Sequence, residues 1–280
     1  MKNHFEPLLI PPMENNLPKQ NSSLKRSVNH AVEPLERLAQ TSARLLSKPL
    51  AGSANDGETS LPRYVYLGEK GGGDVIRLGL FATLHGDEPE GPPALAQFVA
   101  ALEANPEIAR GYAIFIYPIC NPTGYADGTR FSRSGKDLNR EFWINSIEPE
   151  VRLLETEIWT HAFDGIVSLH ADDTSDGLYG FVNGAVFSEN LLEPALRAAE
   201  RFLPRNRAGE IDGFKARSGI IIEGYHGVLQ APEGLVRPPF EIVFETPQKT
   251  PVHLQIEAVS TALQTILVEY RQLMALAQNI

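Results

Sequence analysis

The chain has 280 residues, enough for one large domain or two small ones with a substantial core. Its 42% apolar and 21% charged residues suit a soluble folded protein rather than a disordered one. The net charge of −10 argues against a nucleic-acid partner, which would need clustered Lys and Arg, and gives no reason to expect binding to an anionic membrane.

In chain order, residues 1–23 are rich in Pro and Asn and are expected to form an extended arm. The stretch MKNHFEPLLIPPMENN has no apolar run long enough for a secretory signal, and no segment has the roughly 20 apolar residues of a membrane span, so the expected compartment is the cytoplasm. Residues 29–47 have the apolar spacing of a short amphipathic helix, and 51–60 form a Gly/Ser/Asp-rich loop. We therefore assign residues 1–60 to an N-terminal arm and helix, and residues 61–280 to a single domain.

From residue 62 short apolar runs alternate with longer helical ones, the pattern of an α/β fold. The predicted strands are Tyr64–Leu67, Arg77–Thr83, Tyr112–Ile119, Gly165–Leu169, Gly180–Val182 and Phe240–Phe244. Predicted helices cover 91–104, where Pro92 and Pro93 suit a first turn, then 148–162, 189–203 and 252–276. Gly71 to Gly73 are assigned to a hairpin turn, since no Lys-Ser/Thr follows to make a phosphate loop. The single Cys120 rules out an internal disulfide and ends an apolar run, so it is read as a buried small hydrophobe.

Several polar residues stand at the ends of these apolar runs. His85 and Glu88 follow strand 77–83, Asn121 follows 112–119, His170 follows DGIVSL, and Glu245 ends FEIVF. Ligands of open α/β sheets bind at the carboxyl ends of strands, so these residues can converge. His85, Glu88 and His170 form a donor set that catalytic zinc takes while keeping a position open for water, and one zinc ion is expected per chain. Calcium and magnesium favour all-oxygen shells and suit it less. His30-Ala-Val-Glu33 has the same HxxE spacing but follows no strand, so it is read as a solvated helix face. Asp172 or Asp173 is a candidate to orient a ligand. Arg130 and Arg140 together suit a carboxylate clamp and an oxyanion stabiliser, with Arg133 and Lys136 as nearby competitors. Glu245 is expected to act as a general base.

The ordered segments HGDEPEG, NPTGY, GTR…DLNR, SLH and FETP resemble the zinc metallocarboxypeptidases of carboxypeptidase A type. The wording is closest to the murein peptide amidase-like and the succinylglutamate desuccinylase/aspartoacylase branches. The resemblance spans residues 62–275 and implies a mixed, mostly parallel eight-stranded sheet flanked by helices. It implies zinc on His85, Glu88 and His170, an oxyanion on Arg130, a substrate carboxylate on Asn139 and Arg140, and Glu245 as base. The mobile phenol of the family falls to Tyr225, with Tyr179 as the weaker choice. Thr123 and Glu141 depart from the family's usual Asp and Asn. The implied reaction is cleavage of a terminal amide bond in a small peptide. The alternatives are deacylation of an N-acyl amino acid and a non-catalytic carboxylate-binding protein. The expected partner is a small peptide or acylated amino acid with a free carboxylate.

Overall fold

The computed structural model describes residues 25–54, 57–222, 229–235 and 237–277. Residues 1–23 of the expected arm, and Tyr225, lie outside them. Helix α1 (Val28–Thr41) comes first, capped by the Ser27 side chain, which accepts from the His30 amide at 3.2 Å. Strands β1 (Leu45–Ser47), β2 (Leu50–Ala54), β3 (Gly57–Leu61), β4 (Tyr64–Leu67) and β5 (Ile76–Ala82) follow. Next are α2 (Gly91–Ala104), β6 (Tyr112–Tyr117), α3 (Pro122–Asp127), α4 (Pro149–His161), β7 (Gly165–Asp172) and β8 (Tyr179–Val182). A helical stretch then runs from α5 (Ala185–Phe187) to α6 (Glu193–Ala199), followed by short strands β9 (Glu210–Ile211), β10 (Phe214–Arg217) and β11 (Ile220–Ile221). Strand β12 (Phe240–Pro247) and the long α7 (Val252–Ala277) complete the described chain.

Ten strands form one mixed sheet in the order β1-β4-β6-β5-β7-β12-β8-β11-β10-β9, two more than the resemblance implied. At its centre β6, β5, β7 and β12 are mutually parallel. Both faces of this centre are covered, and every residue of β6 is buried, which is why these strands are nearly continuous apolar runs. Val32, Leu35, Phe98, Leu196 and Leu263 place α1, α2, α6 and α7 in the core cluster that covers one face. Leu154 and Ile158 of α4 pack with Phe81, Phe115 and Tyr117 on the other. There the Phe81 and Tyr117 rings stack at 4.6 Å, a contact of about 0.5–1.5 kcal/mol beyond burial alone. Cys120 is fully buried, and burial pushes its thiol far above the usual range.

Two sequence expectations are corrected. Most of the loop at 51–60 is strand, because β2 and β3 pair antiparallel and bury Leu50 and Leu61 in the cluster that holds α4. Gly52 has little β preference of its own, but an added Cβ there would sit 3.1 Å from Leu153, so docking on α4 overrides propensity. Gly71 to Gly73 do not form a hairpin turn. They join β4 to β5, which do not pair with each other but lie on either side of β6. Among the described residues no helix is long and apolar enough to cross a membrane.

Candidate metal centre

The parallel centre sends the carboxyl ends of four neighbouring strands to one sheet edge, and the site lies there. Beyond β5 the chain leaves the sheet at Thr83, a buried β-branched residue at φ 55°. That left-handed conformation costs about 1–3 kcal/mol, and packing holds it. The Thr83 carbonyl accepts from the Asn121 amide at 2.9 Å, and its hydroxyl reaches the Glu88 carbonyl at 3.3 Å. In the turn that follows, a Cβ on Gly86 would lie 1.9 Å from the Gly124 carbonyl carbon, so only glycine lets α3 approach this closely. The Asn121 side chain caps α3 through the Gly124 amide and donates to the Leu84 and Arg130 carbonyls, tying three segments together.

This turn brings His85 and Glu88 to His170. The three residues are buried, and a donor atom from each lies within 4.8 Å of the others. His85 Nδ1 is 2.5 Å from Glu88 Oε1, His170 Nδ1 is 3.1 Å from Glu88 Oε2, and the two Nδ1 atoms are 3.3 Å apart. Two imidazole nitrogens and a carboxylate facing one point out of water need a cation or shared protons between them. Behind the rings, Ser168 Oγ lies in hydrogen-bond contact with His170 Nε2 at 2.7 Å, and Asp137 Oδ1 lies 3.3 Å from His85 Nε2, within ion-pair distance but outside hydrogen-bond geometry. That arrangement turns both Nδ1 lone pairs inward, as a metal requires. Burial alone would depress the His85 pKa, but the carboxylates of Asp137 and Glu88 beside the ring outweigh it and raise it to about 8. Burial lowers the His170 pKa despite Glu88. The Glu88 carboxyl is held well below its usual range, as the histidines overcome its burial.

Arg130 is anchored by Asp137, whose Oδ2 accepts from its Nε at 3.1 Å and Nη2 at 2.9 Å, leaving Nη1 3.3 Å from His85 Nδ1. Asn139 is buried, and its Oδ1 accepts from the Leu229 amide at 2.8 Å. Arg140 donates from Nη1 to the Asn139 carbonyl at 3.3 Å. Arg130, Asn139, Arg140, the three metal candidates and Glu245 all line one cavity of about 270 Å³. The competitors Arg133 and Lys136 do not line it; Arg133 pairs with Asp127 and Lys136 with Glu141. Glu141 also accepts from Ser146 at 2.8 Å.

Register aligns the remaining groups. His170 of β7, Glu245 of β12 and Tyr179 of β8 are successive cross-strand partners, so all three face the same way. Burial pushes the Glu245 carboxyl well above its usual range, reinforced by the charges of Glu88, Asp172 and Asp212 and opposed by Arg130. The Tyr179 hydroxyl lies within hydrogen-bonding distance of Asp172 Oδ2 at 3.0 Å and Asp212 Oδ2 at 3.1 Å. Neither Asp172 nor Asp173 orients a histidine, contrary to expectation. Asp172 instead serves Tyr179 and the Thr174 amide, and Asp137 and Ser168 stand behind the histidines. Asp137 was open to prediction as a helix cap, an Asp two residues before Asn139 whose amide it accepts. Asp212 and Ser168 gave no comparable signal.

No curated protein gives a significant match to the chain. Among solved structures, a candidate metallopeptidase from Shewanella amazonensis SB2B is 25% identical, with a TM-score of 0.69 over 86% of this chain and 92% of that one. A metallo-carboxypeptidase from Pseudomonas aeruginosa, in complex with (2-guanidinoethylmercapto)succinic acid, is 18% identical, with a TM-score of 0.66 over 87% and 69% of the two chains. The product-bound ectoine utilization protein EutE from Ruegeria pomeroyi is 18% identical, with a TM-score of 0.53 over 80% and 67%. Residues 74–206, which hold the three metal candidates together with Arg130, Asn139 and Arg140, match the model of the succinylglutamate desuccinylase/aspartoacylase catalytic domain, and the chain shares the fold of the metallocarboxypeptidase-like structures.

Proposed function

We propose that the protein is a zinc-dependent hydrolase that cleaves an amide bond in a small substrate bearing a free carboxylate. The observation that carries this reading is the meeting of His85, Glu88 and His170 with Glu245, Arg130 and Arg140 in one cavity. Two imidazoles and a carboxylate are a donor set of catalytic zinc. An ion held there supplies Lewis acidity and lowers the pKa of water into the neutral range. Glu245 takes a proton from the attacking water and returns it to the leaving amine. Arg130, fixed by Asp137, offers Nη1 to the oxyanion. Arg140 holds the substrate carboxylate, helped by the Asn139 amide nitrogen, since Asn139 Oδ1 is engaged by Leu229. The activity is assigned to residues 61–280 as one catalytic domain.

Two substrate forms fit, a short peptide and an N-acyl amino acid. The match to a desuccinylase/aspartoacylase catalytic domain and the modest cavity of about 270 Å³ favour the acyl amino acid. The bound (2-guanidinoethylmercapto)succinic acid of the Pseudomonas aeruginosa protein likewise favours a small carboxylate ligand. The test is a panel of N-acyl amino acids and dipeptides assayed before chelation, after it, and after zinc is returned. Hydrolysis lost and restored with zinc is the expected result. A protein that binds no transition metal, or one that hydrolyses equally well without it, refutes the reading.

A further inference from the structure

The turn that carries His85 and Glu88 is held on two sides. On the α3 side Asn121 donates to the Leu84 carbonyl, and Arg26 Nη1 donates to the Gly86 carbonyl at 3.0 Å. On the other side the β5–β7 ladder stops at Ala82 and Leu169, before the turn begins. β12, the strand of Glu245, lies one strand further on, because β7 stands between it and β5. Two strand spacings separate β5 from β12 by about 10 Å.

Gln248 spans that gap. Its backbone amide donates to the Asp172 carbonyl at 2.9 Å, one bond past the last β7–β12 pair. Its side chain lines the cavity and donates from Nε2 to the Asp87 carbonyl at 3.0 Å. That carbonyl belongs to the planar peptide that joins Asp87 to Glu88, so the bond fixes the plane containing the Glu88 Cα. One residue thus joins the turn of His85 and Glu88 to the strand of His170, and it follows Glu245 by three positions.

The backbone of Gln248 has its own anchor in α7. Gln255 is fully buried, and its Nε2 donates to the Gln248 carbonyl at 3.2 Å and the Thr250 carbonyl at 2.9 Å. Its Oε1 accepts from Thr246 Oγ1 at 2.8 Å. A buried amide bonded at both ends is stiff, because breaking any of these bonds leaves a polar group unpaired out of water.

We infer that Gln248 is a positioning residue, which holds the Asp87–Glu88 peptide against the end of β12 and so fixes the metal donors relative to Glu245. The inference rests on reading His85, Glu88 and His170 as the metal site, and Glu245 as the base, of the proposed hydrolase. Gln248 acts through the turn, so its loss should loosen the ion and slow the chemical step while leaving ground-state binding of substrate largely intact.

The experiment compares the full wild-type chain with Gln248→Met, which keeps the volume and removes the donor. Gln248→Ala is the second variant, and the half-buried position tolerates truncation if Met misfits. In the metal-free chain, amide hydrogen exchange over residues 84–90 should be about tenfold faster in both variants, with α7 unchanged. Zinc release to a chelator should be about tenfold faster, the low end of the effect of removing a group that orients a ligand. On an N-acyl amino acid kcat should fall about tenfold while KM stays within about twofold. Gln264→Met, which removes a side chain bonded only one turn back to Ser260 in α7, should match wild type in all three. Unchanged exchange in the turn, exchange faster throughout α7 as well, unchanged zinc release, or a loss confined to KM overturns the inference. Faster exchange and zinc release in a chain that hydrolyses no acyl amino acid or dipeptide keep it and refute the hydrolase reading. Equal kcat in wild type and both variants overturns it and leaves the hydrolase reading standing.

Discussion

Asp137 Oδ1 lies 3.3 Å from His85 Nε2, while the other oxygen of the same carboxylate receives the fork of Arg130. One side chain thus stands behind a metal candidate and fixes the oxyanion candidate. Burial favours protonation of Asp137, but His85 and Arg130 overcome this and hold its carboxyl far below the usual range. Asp137→Asn keeps the size and one acceptor oxygen but loses the charge. We expect metal affinity to fall about 10–100-fold, the usual effect of removing such a partner. Unchanged zinc affinity, measured by competition with a chelating dye, would show that His85 is oriented without it.

His170→Ala removes a donor that the sheet register places opposite Glu245. Zinc content by elemental analysis should fall from one per chain to a small residue. His30→Ala should leave it unchanged, because His30 is exposed and, among the described residues, its ring pairs with Glu33 across one helical turn. Full zinc retention in His170→Ala would remove that residue from the ligand set.

The parts of this site that lie at strand ends were legible because buried parallel strands are runs of apolar residues, and a polar residue that stops such a run is conspicuous. His85, His170 and Glu245 were all visible in that way. The residues between the strands were not. Asp137 approaches His85 only because the loop after α3 folds back across the end of β5. Asp212 reaches the cavity from a turn between strands of two and four residues, too short to leave a period. Tyr179 was visible as a strand residue, but its facing toward Glu245 depends on an antiparallel register that no local pattern specifies. The β2–β3 pair failed for the opposite reason, since its composition favours a loop and only α4 makes it sheet.

Glu245→Gln keeps the shape of the strand end and removes the carboxylate proposed as the base. We expect zinc binding and the melting temperature to persist while kcat falls by about two to four orders of magnitude. A kcat near that of the wild type would assign Glu245 a structural role.

Glu150, in the first turn of α4, tests the electrostatics of the scaffold away from the site. Its carboxyl is raised above the usual value, first by burial and then by the neighbouring Glu148. The folded protein therefore holds this proton more tightly than the unfolded chain. The associated stability is present at acid pH and is lost as pH rises from the ordinary carboxylate range through the raised value. Glu150→Gln does not ionise, so it should melt higher than wild type at pH 7, with the gain shrinking toward pH 4. A gain independent of pH would mean that ionisation of Glu150 is not the cause.

Arg140 separates a carboxylate-recognising enzyme from a bare metal-binding fold. It lines the cavity beside Asn139, and its backbone is fixed by the short helical turn that Asp137 caps. If its guanidinium pairs with a free substrate carboxylate, truncation leaves that anion poorly paired, at a cost of about 2–5 kcal/mol. A substrate whose carboxylate is amidated lacks the interaction from the start. Arg140→Ala should therefore cause a large loss of kcat/KM on the free acid and a small one on the amide. Arg140→Lys should fall between, because an ammonium cannot supply two parallel hydrogen bonds. The comparison on paired substrates matters because a loss on the acid alone could follow from a loosened loop. Equal losses on acid and amide would mean that Arg140 supports the loop, and both the peptide and acyl amino acid readings would then lack their clamp.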